Sequence, residues 1–255
     1  MSILEAVNIK KVYKSRLGGN QVEALSNINF SVEAGEFVAI MGESGSGKTT
    51  MLNILAALDT PTSGEIFLDG TSFSNIKEKQ RAAFRRNNVG FVFQDFNLLD
   101  NFSLEDNILL PLVLAGTDYD TMQQRLAPIA ASLGITDLLK KYPYEVSGGQ
   151  KQRTAVARAL ITSPKLLLAD EPTGALDSKA SVKLLNKFEE INKSGQTILM
   201  VTHSVKAACH ASRVMFIKDG VVYHQTYKGN SDKEEMYKKI NDSLTALLSG
   251  GEENE

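Results

Sequence analysis

The sequence predicts an α/β fold in which a mostly parallel sheet is covered by helices on both faces. From Lys165 onward strands and helices alternate: the strand "KLLLAD", a helix over 179–194 and the strand "TILMVTH". The N-terminal part is strand-rich, which predicts an antiparallel β subdomain. Residues 103–162 carry helical spacing with little strand signal, which predicts an inserted α-helical subdomain.

The strands of the N-terminal part are predicted from short apolar alternations bounded by polar residues and glycine. They cover residues 3–9, 21–25, 28–33 and 36–41. The segment "EAGE" at 33–36 is expected to form a hairpin turn between the last two of these strands. Further along, "PTSGEIFLDG" predicts a strand between two turns, "VGFVFQ" a short buried strand, and "RVMFIKDGVVYH" a hairpin.

Helix starts are marked by capping residues. Ser103 with Asp106 resembles a capping box, and "DYDTMQQRLAPIAASLG" has helical apolar spacing. The tail predicts a capping box at Ser231 and Glu234 and a helix over 231–249. Its apolar face would carry Met236, Ile240, Leu244 and Leu247. The final residues, 250–255, are expected to be disordered.

Composition limits the possible functions. The chain has 255 residues, 42% apolar and 23% charged, which is ordinary for a globular protein with a sizeable core. A net charge of -2 gives no reason to expect a nucleic-acid partner. The single cysteine, Cys209, cannot form an intrachain disulfide, which suits a reducing compartment. The apolar run "ILLPLVLAG" is too short to span a bilayer. We therefore expect a cytoplasmic chain that reaches a membrane only through a partner.

A glycine-rich segment between a predicted strand and helix has the pattern of a phosphate-binding loop. "MGESGSGKTT" fits G-x-x-x-x-G-K-[ST] through Gly42, Gly47, Lys48 and Thr49. The backbone N–H groups from Gly45 to Thr50 would form an anion nest. Lys48 would reach the β- and γ-phosphates, and the Thr49 hydroxyl would ligate Mg²⁺. The candidate contacts of this segment are Gly42, Ser44, Gly45, Ser46, Gly47, Lys48, Thr49 and Thr50.

A carboxylate pair ends another apolar strand, "LLLADE". In a protein with a phosphate loop, Asp170 would be a metal ligand. Glu171 would be the general base that accepts a proton from, or orients, the attacking water. On its own, an acidic pair after a strand is more often the ordinary start of a loop. The presence of a phosphate loop favours the catalytic interpretation.

The stretch "EVSGGQKQRTAVARAL" places glycines at the start of a good helix. Gly148 and Gly149 should each destabilise the helix by about 0.8–1 kcal/mol relative to alanine. We therefore expect that some function requires a helix N-terminus without side chains. The positive end of a helix suits an anion. The alternatives are a helix start softened by glycine without a ligand, and the GGQ tripeptide of translation release factors. The latter needs an RNA-binding context that the charge balance does not supply.

The segment "VSGGQKQR" resembles the signature motif of ATP-binding-cassette (ABC) ATPases. The resemblance implies a P-loop NTPase core of the ABC type. It also implies that Ser147, Gly148, Gly149 and Gln150 contact ATP held by the opposite subunit. One phosphate loop and one signature per chain then imply a homodimer with an isologous interface.

Further positions match the same family. Gln94 resembles the Q-loop glutamine, which senses Mg²⁺ and the attacking water. Gly174–Asp177 resembles the D-loop, so Asp177 would meet the opposite subunit. His203 resembles the switch histidine that hydrogen-bonds the γ-phosphate, and Tyr13 the aromatic that stacks on adenine. The family's more usual residues differ at Val146, Gly174 and Ser204. The implied sites are catalytic Glu171, His203, Gln94 and Lys48, and metal-binding Thr49, Gln94 and Asp170.

Several phrases, among them "LADEPTGALDS" and "VGFVFQDFNLLDNFSLEDNILLPL", resemble the macrolide-exporter and lipoprotein-release group, and within it bacitracin-type peptide-resistance transporters. This implies a permease with a large extracellular domain, possible coupling to a sensor kinase, and cofactors ATP and Mg²⁺. Phe96, Leu98 and Leu99 are candidate permease contacts. The expected ATPase domain covers 1–230, with a helical lobe at about 98–162. The alternatives are a lipoprotein-release or cell-division permease system and a soluble nucleotide-dependent regulatory ATPase.

Overall fold

The computed structural model describes residues 2–14 and 21–249, with side chains as far as Leu247. Contacts divide the chain into two compact units, one from the N-terminus to Lys77 together with the segment from Thr197 onward, the other Glu78–Gln196. The strands are β1 Ser2–Lys14, β2 Gln21–Glu33, β3 Phe37–Gly42, β4 Ser63–Leu68, β5 Thr71–Ser72, β6 Val89–Val92, β7 Leu166–Asp170, β8 Thr197–Val201, β9 Arg213–Lys218 and β10 Val221–Tyr227. The helices are α1 Lys48–Leu55, α2 Glu78–Asn88, α3 Leu104–Val113, α4 Tyr119–Leu133, α5 Gly148–Leu160, α6 Ser178–Lys193, α7 Val205–Ala208 and α8 Lys233–Ser249.

The first unit contains the predicted antiparallel sheet, with strand order β2-β1-β4-β5. It also contains β3, which is parallel to both β8 and β9, while β10 pairs antiparallel with β9. The residues of β8 are all buried, and those of β3 and β9 nearly all. Continuous apolar runs of this kind are typical of strands covered on both faces. The α/β fold class is therefore confirmed.

Two predictions about the N-terminal strands are wrong. The segments 21–25 and 28–33 form one strand, because irregularities in the β1–β2 register let both pair with β1. The segment 33–36 is a turn, with the Glu36 amide donating to the Glu33 carbonyl at 3.0 Å, but it does not close a hairpin. Its flanking strands enter different sheets, since β2 pairs with β1 and β3 with β8 and β9.

The second unit carries β6 and β7, which pair in parallel, and helices α2 to α6. The capping box of Ser103 and Asp106 at the start of α3 is present as predicted. Helix α4 begins after Asp118, whose side chain accepts from the Thr121 amide, and ends at Gly134 in the left-handed conformation. These local signals explain where α3 begins and where α4 begins and ends.

The last helix, α8, starts differently from the prediction. Asp232, not Ser231, accepts the amides of Glu234 and Glu235, each at 2.9 Å. The Ser231 hydroxyl instead accepts from Lys239 at 2.7 Å. The predicted apolar face is otherwise correct: Met236, Ile240 and Leu247 are buried, and Leu244 is half-buried. The predicted disordered tail, 250–255, lies outside the described residues.

Among the described residues, no helix combines the length and the apolar character needed to cross a membrane.

Candidate nucleotide-binding site

The phosphate loop connects β3 to α1 in the first unit, and two of its glycines are required by the chain itself. At Gly42 a Cβ atom would lie 2.2 Å from the Ile217 carbonyl oxygen. At Gly47 the backbone has φ +101°, and a Cβ atom would lie 2.4 Å from the Ala24 carbonyl oxygen. Gly45 also has a left-handed φ, +82°, but open space stands where its Cβ would be. The loop is therefore tight against its own fold at both ends and open in the middle.

Polar groups converge on this loop. The Lys48 ammonium donates to the carbonyls of Gly42, at 2.9 Å, and Glu43, at 2.5 Å. Gly47 is the N-cap of α1 and makes no side-chain capping bond to the first turn of the helix. The buried Ser46 hydroxyl has no hydrogen-bond partner among the described residues. Residues 43–46 and Ile217–Asp219 line a cavity of about 150 Å³. A buried hydroxyl without a partner, at the N-terminal end of a helix, fits a phosphate chain.

His203 follows β8 in the same unit. Because β3 and β8 are parallel neighbours, the loops after them leave the same edge of the sheet. Buried Thr202 donates its amide to the Ile40 carbonyl at 3.0 Å, and its hydroxyl accepts from the Ser204 amide at 3.1 Å. These bonds hold the turn that carries the exposed His203.

Tyr13 lies at the end of β1 and is 43% exposed, as an adenine-stacking aromatic would be. Its hydroxyl donates to Asp59 Oδ2 at 2.9 Å, and Lys11 Nζ lies 4.8 Å from the ring centroid. Burial raises the pKa of the Asp59 carboxyl, but hydrogen bonds led by Lys11 outweigh it and lower that pKa below its ordinary value. The Asp59 carboxylate thus fixes the direction of the Tyr13 ring.

The second unit holds the glutamine and the carboxylate pair. Parallel β6 and β7 pair through Val92 and Ala169, so the segments that follow leave one edge of this strand pair. Exposed Gln94 comes two residues after β6, and half-buried Asp170 and Glu171 come at the end of β7. Glu171 has φ +43°, a left-handed conformation that is uncommon for a residue with a Cβ.

The D-loop lies against Gln94. A Cβ built on Gly174 would be 3.2 Å from Cδ and Nε2 of Gln94, so the glutamine side chain lies over this glycine. Asp177 caps α6 by accepting from the Ala180 amide at 2.8 Å. The serine that is more usual at position 174 would therefore crowd Gln94 in this chain.

The signature helix α5 begins at Gly148 with Ser147 as its N-cap. The Ser147 hydroxyl accepts from the Gln150 amide at 3.4 Å, and Gln150 Oε1 accepts from the Ser147 amide at 2.8 Å. A Cβ at Gly148 would meet only ordinary contacts, the nearest being Phe96 Cζ at 3.6 Å. Nothing inside the described chain thus requires a glycine at this position.

Several residues that hold these motifs were missed by the sequence reasoning. Gln152 and Arg158 on α5 donate to backbone carbonyls on either side of Gln94. Asn107 on α3 is fully buried and makes hydrogen bonds with the loop before it, to Leu99, Phe102 and Ser103. The only signal in the sequence is a polar residue on an otherwise apolar helix face, which does not reveal its partner.

Comparison with known proteins assigns the chain to a family. The family model described as "ABC transporter" matches residues 25–174. The chain is 46% identical over its whole length to the bacitracin export ATP-binding protein BceA of Halalkalibacterium halodurans, all of which it covers. It is 47% identical to the ABC transporter ATP-binding protein YxdL of Bacillus subtilis, over all of this chain and 97% of that protein.

Solved structures agree with the sequence relatives. A dimeric ATP-binding cassette in a post-hydrolysis state, bound to ADP and Pi, matches 88% of this chain and 98% of its own with a TM-score of 0.79 and 37% identity. The chain belongs to the ABC transporter family and is an ATPase of that family.

Proposed function

We propose that this chain is the ATP-hydrolysing subunit that dimerises on ATP and drives a membrane permease in bacitracin-type antimicrobial-peptide resistance. In that role it lies on the cytoplasmic face of the membrane, held there by the permease. The observation that carries the proposal is full-length identity of 46% to a bacitracin export ATP-binding protein. A relative of that length and identity supports a shared task as well as a shared fold.

The proposed chemistry divides between binding and hydrolysis. The loop from Gly42 to Thr50 binds the phosphates, and Tyr13 stacks on the adenine. Glu171 activates or orients the water, while His203 and Lys48 stabilise charge on the γ-phosphate. Hydrolysis of this kind depends mostly on positioning and charge stabilisation, so separate segments can jointly supply the groups.

The proposed metal is Mg²⁺, with oxygen ligands from Thr49, Gln94 and Asp170. A hydroxyl, an amide oxygen and a carboxylate are hard donors that suit this ion. When bound, Mg²⁺ neutralises charge that develops on the phosphate oxygens.

The homodimer follows from the signature helix. Gly148 leaves bare backbone at a helix N-terminus although its own surroundings would accept a Cβ. A ligand from outside the chain explains this, and the family resemblance makes that ligand the ATP of a second copy. Asp177, which directly follows the Leu176 side chain near this helix start, is then the D-loop contact with the partner.

Ser147→Arg tests the dimer. A long cationic side chain at the N-cap would block closure, while ATP binding to the monomer should stay within about two-fold of wild type, because the phosphate loop is unchanged. Both forms would carry Glu171→Gln to trap ATP, and light scattering would measure their mass with and without ATP. Ser132→Arg, at an exposed serine on α4, is the matched control. A Ser147→Arg protein that still dimerises on ATP would refute the proposed contact.

The permease is proposed to dock on the loop between Gln94 and α3. Leu99 is 45% exposed and Phe102 40% exposed, while buried Asn107 fixes the loop backbone beneath them. Phe96 and Leu98 are half-buried neighbours in the same segment. A loop that is held rigidly and presents apolar side chains is suited to receive a partner helix.

Affinity purification from native membranes in mild detergent tests this partner. A permease with a large extracellular domain, found beside a sensor kinase, would support the peptide-resistance role. A lipoprotein-release or division permease would change the task, and no membrane partner would favour the soluble regulatory ATPase. Leu99→Asp and Phe102→Asp should lose the permease, whereas Val182→Asp, at a 55% exposed position on α6, should keep it.

A further inference from the structure

A single buried amide connects three motifs of the second unit. Gln152 lies on α5, shortly after the signature residues, and is 0% exposed. Its Nε2 donates to the Phe93 carbonyl at 3.1 Å and to the Pro172 carbonyl at 2.8 Å. Phe93 directly precedes Gln94, and Pro172 directly follows Glu171. One NH₂ group thus holds the backbone next to both residues.

The chemistry of the neighbours fixes the orientation of this side chain. Both groups within reach of Nε2 are carbonyl oxygens, so only the NH₂ end of the amide can face them. The Oε1 atom is buried, and no donor reaches it among the described residues. A buried acceptor without a donor destabilises the fold, because it has lost its hydrogen bonds to water. The unpaired Oε1 atom therefore lowers the stability of the fold. The two hydrogen bonds that Nε2 donates explain why a glutamine stands at this position nevertheless.

Arg158 performs a related task further along α5. Its guanidinium donates to the Asn97 carbonyl at 2.5 Å and to the Phe96 carbonyl at 2.9 Å. Both carbonyls belong to residues in the left-handed conformation, with φ +61° at Phe96 and +51° at Asn97. Helix α5 therefore holds the chain on both sides of Gln94, through Gln152 before it and Arg158 after it.

The carboxylate loop needs such support. Glu171 at φ +43° is in a strained conformation that persists only where the surroundings enforce it. The loop is held by the Gly174 amide, which donates to the Glu171 carbonyl at 2.9 Å, and by Gln152 at the next carbonyl. Loss of the Gln152 side chain would remove one of these two hydrogen bonds.

We propose that Gln152 is a positioning residue for ATP hydrolysis, which locks the Gln94 and Glu171 backbones in register with the signature helix. A shift at the start of α5 is thereby passed to both residues at once. Gln152 touches neither nucleotide nor metal in this scheme and acts through its two carbonyl partners. The inference rests on the roles proposed above for Gln94 and Glu171.

The test compares full-length Gln152→Leu and Gln152→Glu with Thr154→Val. Thr154 is equally buried on the same helix, but its hydroxyl donates only to the Gln150 carbonyl, within the helix, at 3.0 Å. We expect kcat to fall roughly 10- to 100-fold in both Gln152 variants, because misplaced reacting groups cost factors of this size. The Kd for ATP, set by the phosphate loop, should stay within about two-fold, and Thr154→Val should keep kcat within about two-fold.

A pH profile separates positioning from simple destabilisation. In Gln152→Glu a buried carboxylate would face two carbonyl oxygens, which raises its pKa. As the pH falls from about 8.5 to about 6, the carboxyl gains a proton and can donate one hydrogen bond again. The kcat of this variant, relative to wild type at the same pH, should therefore rise on acidification, while the ratio for Gln152→Leu should stay flat.

Two results would overturn the inference. If both Gln152 variants retain the kcat of Thr154→Val while Glu171→Gln is inactive, Gln152 does not position the catalytic groups, although the catalytic assignment stands. If Glu171→Gln itself turns over ATP normally, the catalytic assignment falls and this inference falls with it.

Discussion

The two glycine-rich helix starts of this chain use their glycines for different reasons. At the start of α1, Gly47 has φ +101° and a Cβ there would lie 2.4 Å from a carbonyl oxygen of β2. At the start of α5, a Cβ on Gly148 would find ordinary contacts, and a capping box of Ser147 and Gln150 closes the turn. The first glycine is required by the chain's own backbone. The second is not, which is why we assign its purpose to a ligand of another subunit.

The difference also separates stability from function. Substitution of a residue that the fold requires lowers the stability of the fold. Ligand binding is then lost because the binding loop changes its shape. A residue left bare for an outside ligand can be changed without harm to the fold. Three substitutions test this comparison.

The largest effect is expected from Gly47→Ala. An L-residue at φ +101° is strained by about 1–3 kcal/mol, and the clash with the Ala24 carbonyl adds to this. We expect a lower free energy of unfolding and a loss of ATP binding, because the turn that shapes the phosphate loop must move. Urea unfolding and a titration with a fluorescent ATP analogue would measure both. A wild-type free energy of unfolding in this variant would contradict the claim that the fold requires a glycine at position 47.

Gly148→Ala should behave in the opposite way. Alanine is the better helix former by up to about 1 kcal/mol, so the free energy of unfolding should be unchanged or slightly raised. ATP binding to the monomer should be unaffected, whereas turnover should fall roughly 10-fold as the methyl group keeps the partner's phosphate from the helix N–H groups. Turnover equal to wild type would show that the bare backbone serves no ligand.

The smallest effect is expected from Gly174→Ala. Its Cβ would lie 3.2 Å from the end of the Gln94 side chain, which is flexible and can give way by a few tenths of an ångström. We expect turnover to change by roughly two- to five-fold with an unchanged melting temperature, since small misplacements cost less than large ones. A change as large as that of Gly148→Ala would show that turnover depends on the D-loop glycine as much as on the signature glycine.

The success of the sequence predictions depended on how local their causes were. The phosphate loop was predictable because its pattern, its strand and its helix lie within one short segment, 37–55. The prediction of a hairpin at 33–36 was wrong, because turn residues predict a turn but do not show which sheet each flanking strand joins. The cap of α8 was placed one residue early because Ser231 and Asp232 are both suitable caps, and only hydrogen bonds distinguish them.

Residues whose hydrogen-bond partners are distant in the sequence could not be recognised from the sequence. Gln152 reaches the Phe93 carbonyl across 59 positions, and Arg158 reaches the Asn97 carbonyl across 61. In the sequence both are ordinary polar residues of a helix. Asn107 likewise gives no sign that it shapes the loop with Leu99 and Phe102.

The α/β class, the family and the pattern of a phosphate loop could be predicted from the sequence, because glycine spacing, apolar runs and capping residues act within a few positions. Which glycines the fold requires depends on contacts between segments that are distant in the sequence. The atoms that exclude a side chain at Gly42 belong to the Ile217 carbonyl, which comes from a distant strand. Steric contact depends on distance in space, and that distance exists only once the strands have paired.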